Sequence, residues 1–433
     1  MSPCTRLPEM RLVKVYPSVS YQSIIGFGSA LTEASGVVFS HLNPENRTRF
    51  LSQHFGSDGN CYSLARLPIQ SCDFSLTSRS YMSAPRNASL DSFSIDDDWG
   101  YVIPLALQAK ETNTELSFIA SPWSPPAWAK TNLNMKYGGH LRKRHYATWA
   151  AMIARYVMDY RSLGLNIDRI TVQNEPEATQ IWESCLFNAQ QEAAFVRDHL
   201  RAALDHAGAS NVKILIWDHN KQGLLDRTSA VLADEIAARS VDGVAFHWYS
   251  GDHFEAVRAT RDLIGNRELI FSEGCDFYSQ ADPAWEIPHA EHYAREIIGD
   301  LENGANAILD WNILLDAHGG PNHVGNYCDA PVMYDEVLGE LHFRRPFYYL
   351  GHFSRFIKPG AVRLLTTRYT LDLETTTFKN PDGTCATVVL NRHDRDIDFT
   401  LAIGGNQIER RKADLTAAAH SIMTLVWSNG PVK

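Results

Sequence analysis

Long hydrophobic runs, an excess of basic residues and a regular cysteine pattern are all missing from this sequence of 433 residues. No apolar run approaches the ~20 residues that span a bilayer, so we predict no transmembrane segment. Fifty Asp and Glu against 40 Lys and Arg give a net charge of −10, which argues against nucleic acid or an anionic membrane as a partner. The seven cysteines are scattered and odd in number, which favours a reduced chain over a disulfide scaffold.

Signals for export, cofactors and metals are also weak. The first 20 residues lack the continuous apolar core of a secretory signal, so we expect a cytoplasmic protein. Gly26-Phe27-Gly28 begins like a dinucleotide-binding loop, but the third glycine is missing from its place. No cysteine or histidine set at the predicted strand ends has the spacing of metal ligands. We therefore predict no cofactor and no metal, and the oligomeric state stays open.

Eight short apolar runs alternate with amphipathic helical patterns between residues 22 and 345. They are rich in β-branched and aromatic residues and poor in charge, which is typical of strands buried on both faces. Their positions are 24–29, 62–69, 116–121, 169–174, 212–218, 243–249, 268–273 and 306–312. This alternation predicts an α/β fold in which 22–345 form a (β/α)8 TIM barrel. A doubly wound sheet is the alternative. Polar residues at nearly every strand end favour the barrel over it.

The sequence changes character after residue 345. Short strand patterns are separated by turn signals such as NPDG at 380–383 and GGN at 404–406. We therefore predict that 346–433 form an all-β sandwich beside the barrel. The extended N-terminal residues 1–21 precede the first barrel strand, and we expect them to complete this second domain.

Polar and aromatic residues cluster where the predicted barrel strands end. In a barrel of this kind the active site lies at the carboxyl ends of the strands. The residues at these ends are Arg66, Asp73, Trp123, Asn174, Glu175, Asp218, His247, Tyr249, Glu273 and Trp311. Carboxylates, amides and indoles are thus expected together at one end of the barrel.

Two of these residues, Glu175 and Glu273, suggest glycoside hydrolysis. That reaction needs one carboxyl group to protonate the leaving oxygen and a second to attack the anomeric carbon or activate water. The two glutamates are 98 positions apart, so only the closed barrel could bring them together. Strand-end glutamates also form structural ion pairs, so the pattern alone leaves both interpretations open.

Nine sequence blocks together resemble one known family, glycoside hydrolase family 30, close to its glucosylceramidase (acid β-glucosidase) branch in a bacterial form. The blocks are GFGSALTEA, ARLPIQSCDFS, SPWSPPAWAKTN, QNEP, HWY, FSEG, DWN, GGPNHVGN and YYLGHFSRFIKPGA. The resemblance implies a barrel with a side β-sandwich and hydrolysis with retention of anomeric configuration. It also implies that Glu175 is the acid/base and Glu273 the nucleophile.

Further site residues follow from the same resemblance. It implies that Asp73, Trp123, Asn174 and Trp311 line the terminal sugar site and that Tyr249 and Asn326 surround it as further substrate-binding residues. We expect Arg66 and Tyr249 to stabilise the charge of Glu273, and His247 and Asp218 to support the site. The charge of Glu273 is expected to raise the pKa of Glu175.

These expectations predict a retaining exo-β-glycosidase that hydrolyses β-glucosides, including glucosylceramide-like lipids. A β-xylosidase and a β-1,6-glucanase are the alternatives within the class, because they share the catalytic pair. A non-catalytic carbohydrate-binding effector is the alternative outside it. The secretion signal expected of a lysosomal relative is missing, and the loops that would meet a lipid tail cannot be matched.

Overall fold

The computed structural model describes residues 11–83, 90–404 and 411–428. The chain divides into two compact units, one of residues 27–281 and 307–343, the other of residues 1–26, 282–306 and 344–433. Residues 1–10, 405–410 and 429–433, which belong to the predicted sandwich, lie outside the described residues. Within the described residues, every helix is too short or too polar to cross a membrane.

Eight parallel strands form a closed barrel in chain order, which confirms the predicted (β/α)8 fold. All residues of β2, β3, β7 and β9 are buried, in agreement with the apolar runs from which the strands were predicted. The strands are β2 (Gly26–Ala30), β3 (Leu64–Ile69), β4 (Ser117–Pro122), β5 (Ile167–Thr171), β6 (Lys213–Asn220), β7 (Gly243–His247), β8 (Glu268–Glu273) and β9 (Ala307–Asn312).

Amphipathic helices connect these strands. They are α1 (Glu33–His41), α2 (Pro44–Phe55), α3 (Val102–Thr112), α4 (Tyr146–Ser162), α5 (Ala189–Phe195), α6 (Arg201–His206), α7 (Leu224–Leu232), α8 (Glu235–Ala238) and α9 (Phe254–Ile264). Asn188 and Gln191 form a capping box at the start of α5. A π-helical turn at Val196–Leu200 separates α5 from α6.

A three-stranded sheet follows the last barrel strand, and the sequence analysis did not predict it. Its strands are β10 (Leu315–Asp316), β11 (Val332–Asp335) and β12 (Glu340–Phe343). Strands β10 and β11 are parallel, so the chain between them must return to the end of the sheet at which β10 begins. The returning loop carries the GGPNHVGN block and brings Asn326 to the mouth of the barrel.

The second unit is built on a seven-stranded sheet with the order β17-β16-β1-β13-β14-β15-β18. Its strands are β1 (Leu12–Ser23), β13 (Val362–Arg368), β14 (Leu373–Lys379), β15 (Thr384–Asn391), β16 (Ile397–Ile403), β17 (Arg411–Ala417) and β18 (Ser421–Ser428). The N-terminal β1 is the third strand from the β17 edge and pairs with β13 and β16.

The seven-stranded sheet curls until its edge strands β17 and β18 approach each other, which gives the predicted sandwich. Val15, Leu364, Val389 and Phe399 belong to the apolar core inside. The helices α10 (Glu286–Glu302) and α11 (Arg345–Ser354) belong to the same unit.

Candidate active site

The carboxyl ends of the barrel strands surround a pocket of about 410 Å³. All eight residues predicted to be catalytic or substrate-binding line it: Asp73, Trp123, Asn174, Glu175, Tyr249, Glu273, Trp311 and Asn326. The three predicted supporting residues, Arg66, Asp218 and His247, are fully buried next to it. The barrel therefore brings the complete predicted set to one place.

Glu175 and Glu273 lie side by side in this pocket. Glu273 is the last residue of β8, and Glu175 follows the end of β5 with a left-handed φ of +46°. The peptide N–H of Glu175 donates to the carbonyl oxygen of Asp218 at 2.9 Å, which holds the left-handed turn in place. One carboxylate oxygen of Glu175 lies within 4.8 Å of one of Glu273. Two carboxyl groups at this separation can act on the same bond.

Arg66 is the charged centre beneath the two glutamates. Its Nη1 donates to Glu273 Oε2, and its Nη2 donates to Asn174 Oδ1 and to Asp218 Oδ2 at 2.9 Å each. Its guanidinium carbon lies 4.8 Å from the ring centre of Trp123, which provides a flat neighbour for the planar cation. The guanidinium therefore fixes Glu273 and Asn174 relative to each other.

Asp218 and His247 extend the charged network from Arg66 towards Glu175. Asp218 Oδ2 accepts from Arg66, and Asp218 Oδ1 lies 3.1 Å from His247 Nε2. Burial opposes ionisation of Asp218, but Arg66 and His247 hold the pKa of this carboxyl well below its ordinary value. Burial also disfavours a charged imidazole, yet the negative charge of Glu273 and the hydrogen bond to Asp218 raise the pKa of His247 to about 9.

The expected rise in the pKa of Glu175 is wrong. Burial raises this pKa, but His247 outweighs burial and the net pKa is lowered from its ordinary value. His247 Nδ1 lies 3.4 Å from Glu175 Oε1, closer than it lies to Glu273 Oε1 at 4.0 Å. The sequence argument considered only the repulsion between the two glutamates. It missed the imidazolium, which reaches them from a third strand.

The Tyr249 hydroxyl donates to Glu273 Oε1 at 3.0 Å. Glu273 therefore receives one hydrogen bond from Arg66 and one from Tyr249, on different oxygens. The same hydroxyl lies 3.5 Å from Cys275 Sγ, and Cys275 and Cys328 both line the pocket.

Part of the pocket lining combines aromatic rings with a hydrogen-bonded carboxyl group. Trp123 and Trp311 are stacked with ring centres 5.2 Å apart and an interplanar angle of 25°. Asn326 Nδ2 donates to Asp73 Oδ2 at 2.9 Å. Burial raises the pKa of Asp73 to about 7, although the hydrogen bond from Asn326 opposes the rise. Flat rings and a paired carboxyl group are suited to the C–H face and the hydroxyls of a sugar.

His323, within the GGPNHVGN block, was not selected from the sequence. Its Nδ1 lies 3.1 Å from the carbonyl oxygen of Asp73 and 3.0 Å from that of Ser75, while its Nε2 lies 3.4 Å from Glu183 Oε2. It therefore anchors the backbone that carries Asp73. The block itself was visible in the sequence, but no pattern indicated which of its residues would reach that loop.

Aromatic residues at the pocket mouth were also missed. Trp182, Phe277 and Tyr327 line the pocket, and Phe277 and Tyr327 are 55% and 48% exposed. His219 lines it as well, whereas its neighbour Asp218 is fully buried. These aromatic residues lie outside the barrel strands, where apolar periodicity gives no signal.

Sequence models of one protein family match both parts of the chain. The glycosyl hydrolase family 30 TIM-barrel domain matches residues 24–357. The glycosyl hydrolase family 30 beta sandwich domain matches residues 360–425. Together the two matches span most of the chain.

Individual relatives give the same picture. The lysosomal acid glucosylceramidase of Mus musculus is 32% identical over 435 residues, covering 96% of this chain and 83% of that protein. The endo-1,6-beta-D-glucanase of Neurospora crassa is 27% identical over 410 residues, covering 90% of this chain and 83% of that protein. The crystal structure of SrfJ from Salmonella typhimurium has a TM-score of 0.94 and 38% sequence identity, covering 98% of this chain and 94% of that one.

Proposed function

This chain belongs to glycoside hydrolase family 30, and from that premise we propose that it is a retaining exo-β-glucosidase whose nucleophile is Glu273 and whose acid/base is Glu175. It is an enzyme of the glycoside hydrolase class. The observation that carries the assignment of residues is the approach of two carboxylate oxygens to within 4.8 Å in a pocket with aromatic walls. A retaining enzyme needs its carboxyl groups about 5–5.5 Å apart, and the short approach supports that geometry.

The first step is attack by Glu273 on the anomeric carbon. Arg66 and Tyr249 each donate to one oxygen of Glu273, which stabilises its ionised form and orients it. The C–O bond to the aglycone breaks as the ester bond to Glu273 forms. Asn174, held by Arg66 at 2.9 Å, is placed to hydrogen-bond the sugar hydroxyl next to the anomeric centre as positive charge develops there.

The leaving oxygen needs a proton from Glu175. In the resting site His247 favours ionised Glu175, so the two groups hold one proton between them and the imidazole keeps the larger share. We assign to Glu175 the transfer of that proton to the leaving oxygen. Once Glu273 has become a neutral ester, the charge that raises the pKa of His247 is lost. Glu175 then stays ionised and takes a proton from the incoming water.

The mouth of the pocket supports an apolar aglycone. Phe277 and Tyr327 expose about half of their side chains there, beside Trp182. Exposed rings of this kind gain contact area by covering an alkyl chain or a second ring. The mouse relative is a glucosylceramidase, so we propose glucosylceramide-like lipids and aryl glucosides as substrates.

A β-1,6-glucanase is the second candidate function. Its support is the similarity to the Neurospora crassa endo-1,6-beta-D-glucanase and a TM-score of 0.88 to the endo-beta1,6-glucanase BT3312 at 25% identity. The same aromatic residues at the mouth can stack on a second glucose unit. The two functions therefore share Glu175 and Glu273 and differ in what occupies the mouth.

One substrate panel tests both candidates. Turnover is compared on an aryl β-glucoside, an aryl β-xyloside, glucosylceramide and a β-1,6-linked glucan, with the anomeric configuration of the first product followed by NMR. We expect turnover of the aryl glucoside and of glucosylceramide with retention. Preference for the glucan would select the second candidate, and an inverted product would reject the roles given to both glutamates.

A Glu273→Gly variant supplies a matched test of the nucleophile. Added azide should restore turnover of an activated aryl glucoside and yield the α-glucosyl azide, because the small anion replaces the missing carboxylate. A variant that keeps near-normal turnover without azide would reject the assignment of Glu273.

A further inference from the structure

The two catalytic glutamates share their pocket with a third potential metal ligand. Glu175, His247 and Glu273 each offer one ligand atom, and these atoms all lie within 4.8 Å of one another. The residues follow or end β5, β7 and β8, so their sequence spacing gives no metal motif. Two carboxylates and one imidazole are a donor set that suits zinc.

The orientation of His247 points to a ligand. This side chain is fully buried, and among the described residues its Nδ1 makes no hydrogen bond of good geometry. The atom lies 3.4 Å from Glu175 Oε1 and 4.0 Å from Glu273 Oε1, so it is directed at the pair. The other ring nitrogen lies 3.1 Å from Asp218 Oδ1. A carboxylate that holds the far nitrogen of a histidine is the arrangement that orients imidazole ligands in zinc sites.

The two distances from His247 are close to those of a tetrahedral zinc centre, and the separation between Glu175 and Glu273 is at most 4.8 Å. Bonds of about 2.0–2.2 Å place neighbouring tetrahedral ligands about 3.3–3.5 Å apart. The separation of 3.4 Å between His247 and Glu175 already matches, and that of 4.0 Å between His247 and Glu273 needs a shift of about half an ångström. His219 Nδ1 lies 3.9 Å from Glu175 Oε1, and within the part of the chain that the structure describes it also makes no hydrogen bond.

The charges of the buried groups also balance with a dication. Zinc displaces the proton that His247 holds in the resting site, because a ligating nitrogen must be unprotonated. With the neutral imidazole that results, the carboxylates of Glu175, Glu273 and Asp218 exceed the single guanidinium of Arg66 by two negative charges. One Zn²⁺ neutralises this excess. Arg66 contacts Glu273 through Oε2, and Oε1, which accepts from the Tyr249 hydroxyl, lies on the side facing His247.

We propose that Glu175, His247 and Glu273 bind one Zn²⁺ ion, which inhibits the enzyme by occupying the position of the sugar's anomeric centre. The ion is an inhibitor and takes no part in turnover. It withdraws the lone pairs of both glutamates from catalysis, and it competes with the sugar for the same space. Inhibition by zinc is therefore competitive with substrate and is reversed by a chelator.

Binding is measured by isothermal titration calorimetry with ZnCl₂ on the full chain in chelator-free buffer. We expect one ion per chain and at least about tenfold weaker binding in His247→Ala, with Asp218→Asn weaker by about 10–100-fold. His318→Ala is the matched control, since His318 is an exposed histidine of the same barrel unit. Cys275→Ser and Cys328→Ser should bind zinc like the unaltered chain, because neither thiol belongs to the proposed site.

X-ray absorption of the zinc-loaded, unaltered chain tests the same site without a mutation. Only nitrogen and oxygen ligands near 2.0–2.2 Å are expected, whereas a thiolate ligand near 2.3 Å would overturn the proposal. Undiminished binding in His247→Ala, or no binding at millimolar zinc, would overturn it too. Neither measurement needs turnover. A chain that binds zinc here but hydrolyses no glycoside would contradict the proposed function and the inhibition, and would leave the zinc site itself standing.

Discussion

The hydroxyl of Tyr249 donates to Glu273 Oε1 at 3.0 Å, which leaves Arg66 as the donor to the other oxygen. Tyr249 is itself 42% exposed, so this hydroxyl contributes to the site more than to the core. Removing this hydroxyl should therefore change catalysis and leave folding stability unchanged.

Tyr249→Phe should lower kcat/KM on an aryl glucoside by about 10–100-fold, because a hydrogen bond to a charged group contributes about 1.5–3 kcal/mol. The melting temperature should stay close to that of the unaltered chain. Tyr137→Phe is the control, since Tyr137 is 56% exposed and does not line the pocket. Equal kcat/KM in both variants would show that the hydroxyl does not act on Glu273.

Glu175→Gln should accumulate the glycosyl-enzyme on an activated aryl glucoside. The good leaving group needs no proton, whereas water attack lacks its base, so steady-state kcat falls by about 10²–10⁴-fold. Stopped-flow absorbance should show a burst of phenolate, and azide should speed the slow phase. Glu177→Gln, the same substitution two residues away at a 59% exposed side chain, should keep kcat. Absence of both burst and azide effect would contradict the role of Glu175.

Arg66→Lys should destabilise the fold as well as the site. A single ammonium group cannot reach Glu273, Asn174 and Asp218 together, so buried acceptors lose their donors. We expect the free energy of unfolding in urea to fall by about 2 kcal/mol, the contribution of one hydrogen bond to a charged group. Arg155→Lys replaces an arginine with a 50% exposed side chain and should cost less than about 0.5 kcal/mol. Equal losses of unfolding free energy in the two variants would show that the hydrogen bonds of Arg66 stabilise the fold no more than those of an exposed arginine.

Asp73 should make sugar binding depend on pH near neutrality. Burial raises its pKa to about 7, so the carboxyl is protonated below this pH and ionised above it. The ionised form accepts stronger hydrogen bonds from sugar hydroxyls. The inhibition constant of glucose should therefore fall by about tenfold between about pH 6 and pH 8.

Asp73→Asn supplies the comparison for this titration. Because Glu175, Glu183 and Glu273 also act on Asp73, the informative quantity is the ratio of the two inhibition constants at each pH. The variant should lack the change attributed to Asp73. A ratio that stays constant with pH would assign the titration to another group.

Gly274→Ala should displace the nucleophile. A Cβ atom at Gly274 would lie 2.5 Å from Phe271 Cζ and 2.7 Å from Trp248 Cε2, so the strand end that carries Glu273 has to move. We expect a large loss of kcat and about 1–3 kcal/mol of lost stability. Gly100→Ala is the control, because a Cβ atom at Gly100 has no atom of the described residues within 4 Å. This variant should keep the kcat and the stability of the unaltered chain. Full activity in Gly274→Ala would show that the strand end tolerates the shift.

Much of the fold could be predicted because barrel strands are buried on both faces. The run at 268–273 was predicted at the bounds of β8, Glu268–Glu273. The strand β17 (Arg411–Ala417) was missed because its sequence RKADLTA begins with two charges and has no apolar run. The two-residue β10 is too short for any pattern to detect.

The candidate site was predictable as a set of residues but not as a network. Residues at strand ends must share one mouth, which is why Glu175 and Glu273 could be paired over 98 positions. No sequence rule says which side chains touch within that mouth. The contact between His247 and Glu175 depends on side-chain directions from β7 and β5, and it reversed the expected direction of the pKa of Glu175.

The position of β1 between β16 and β13 in the seven-stranded sheet has a consequence for biosynthesis. Its partners β13 and β16 lie about 350 and 385 residues further along the chain, so β1 leaves the ribosome long before the strands that it pairs with. Contacts this far apart in sequence close slowly, and an unpaired strand is a template for aggregation. A nascent chain that stops before residue 362 therefore leaves β1 without either neighbour, and we expect chaperones to hold this segment longest.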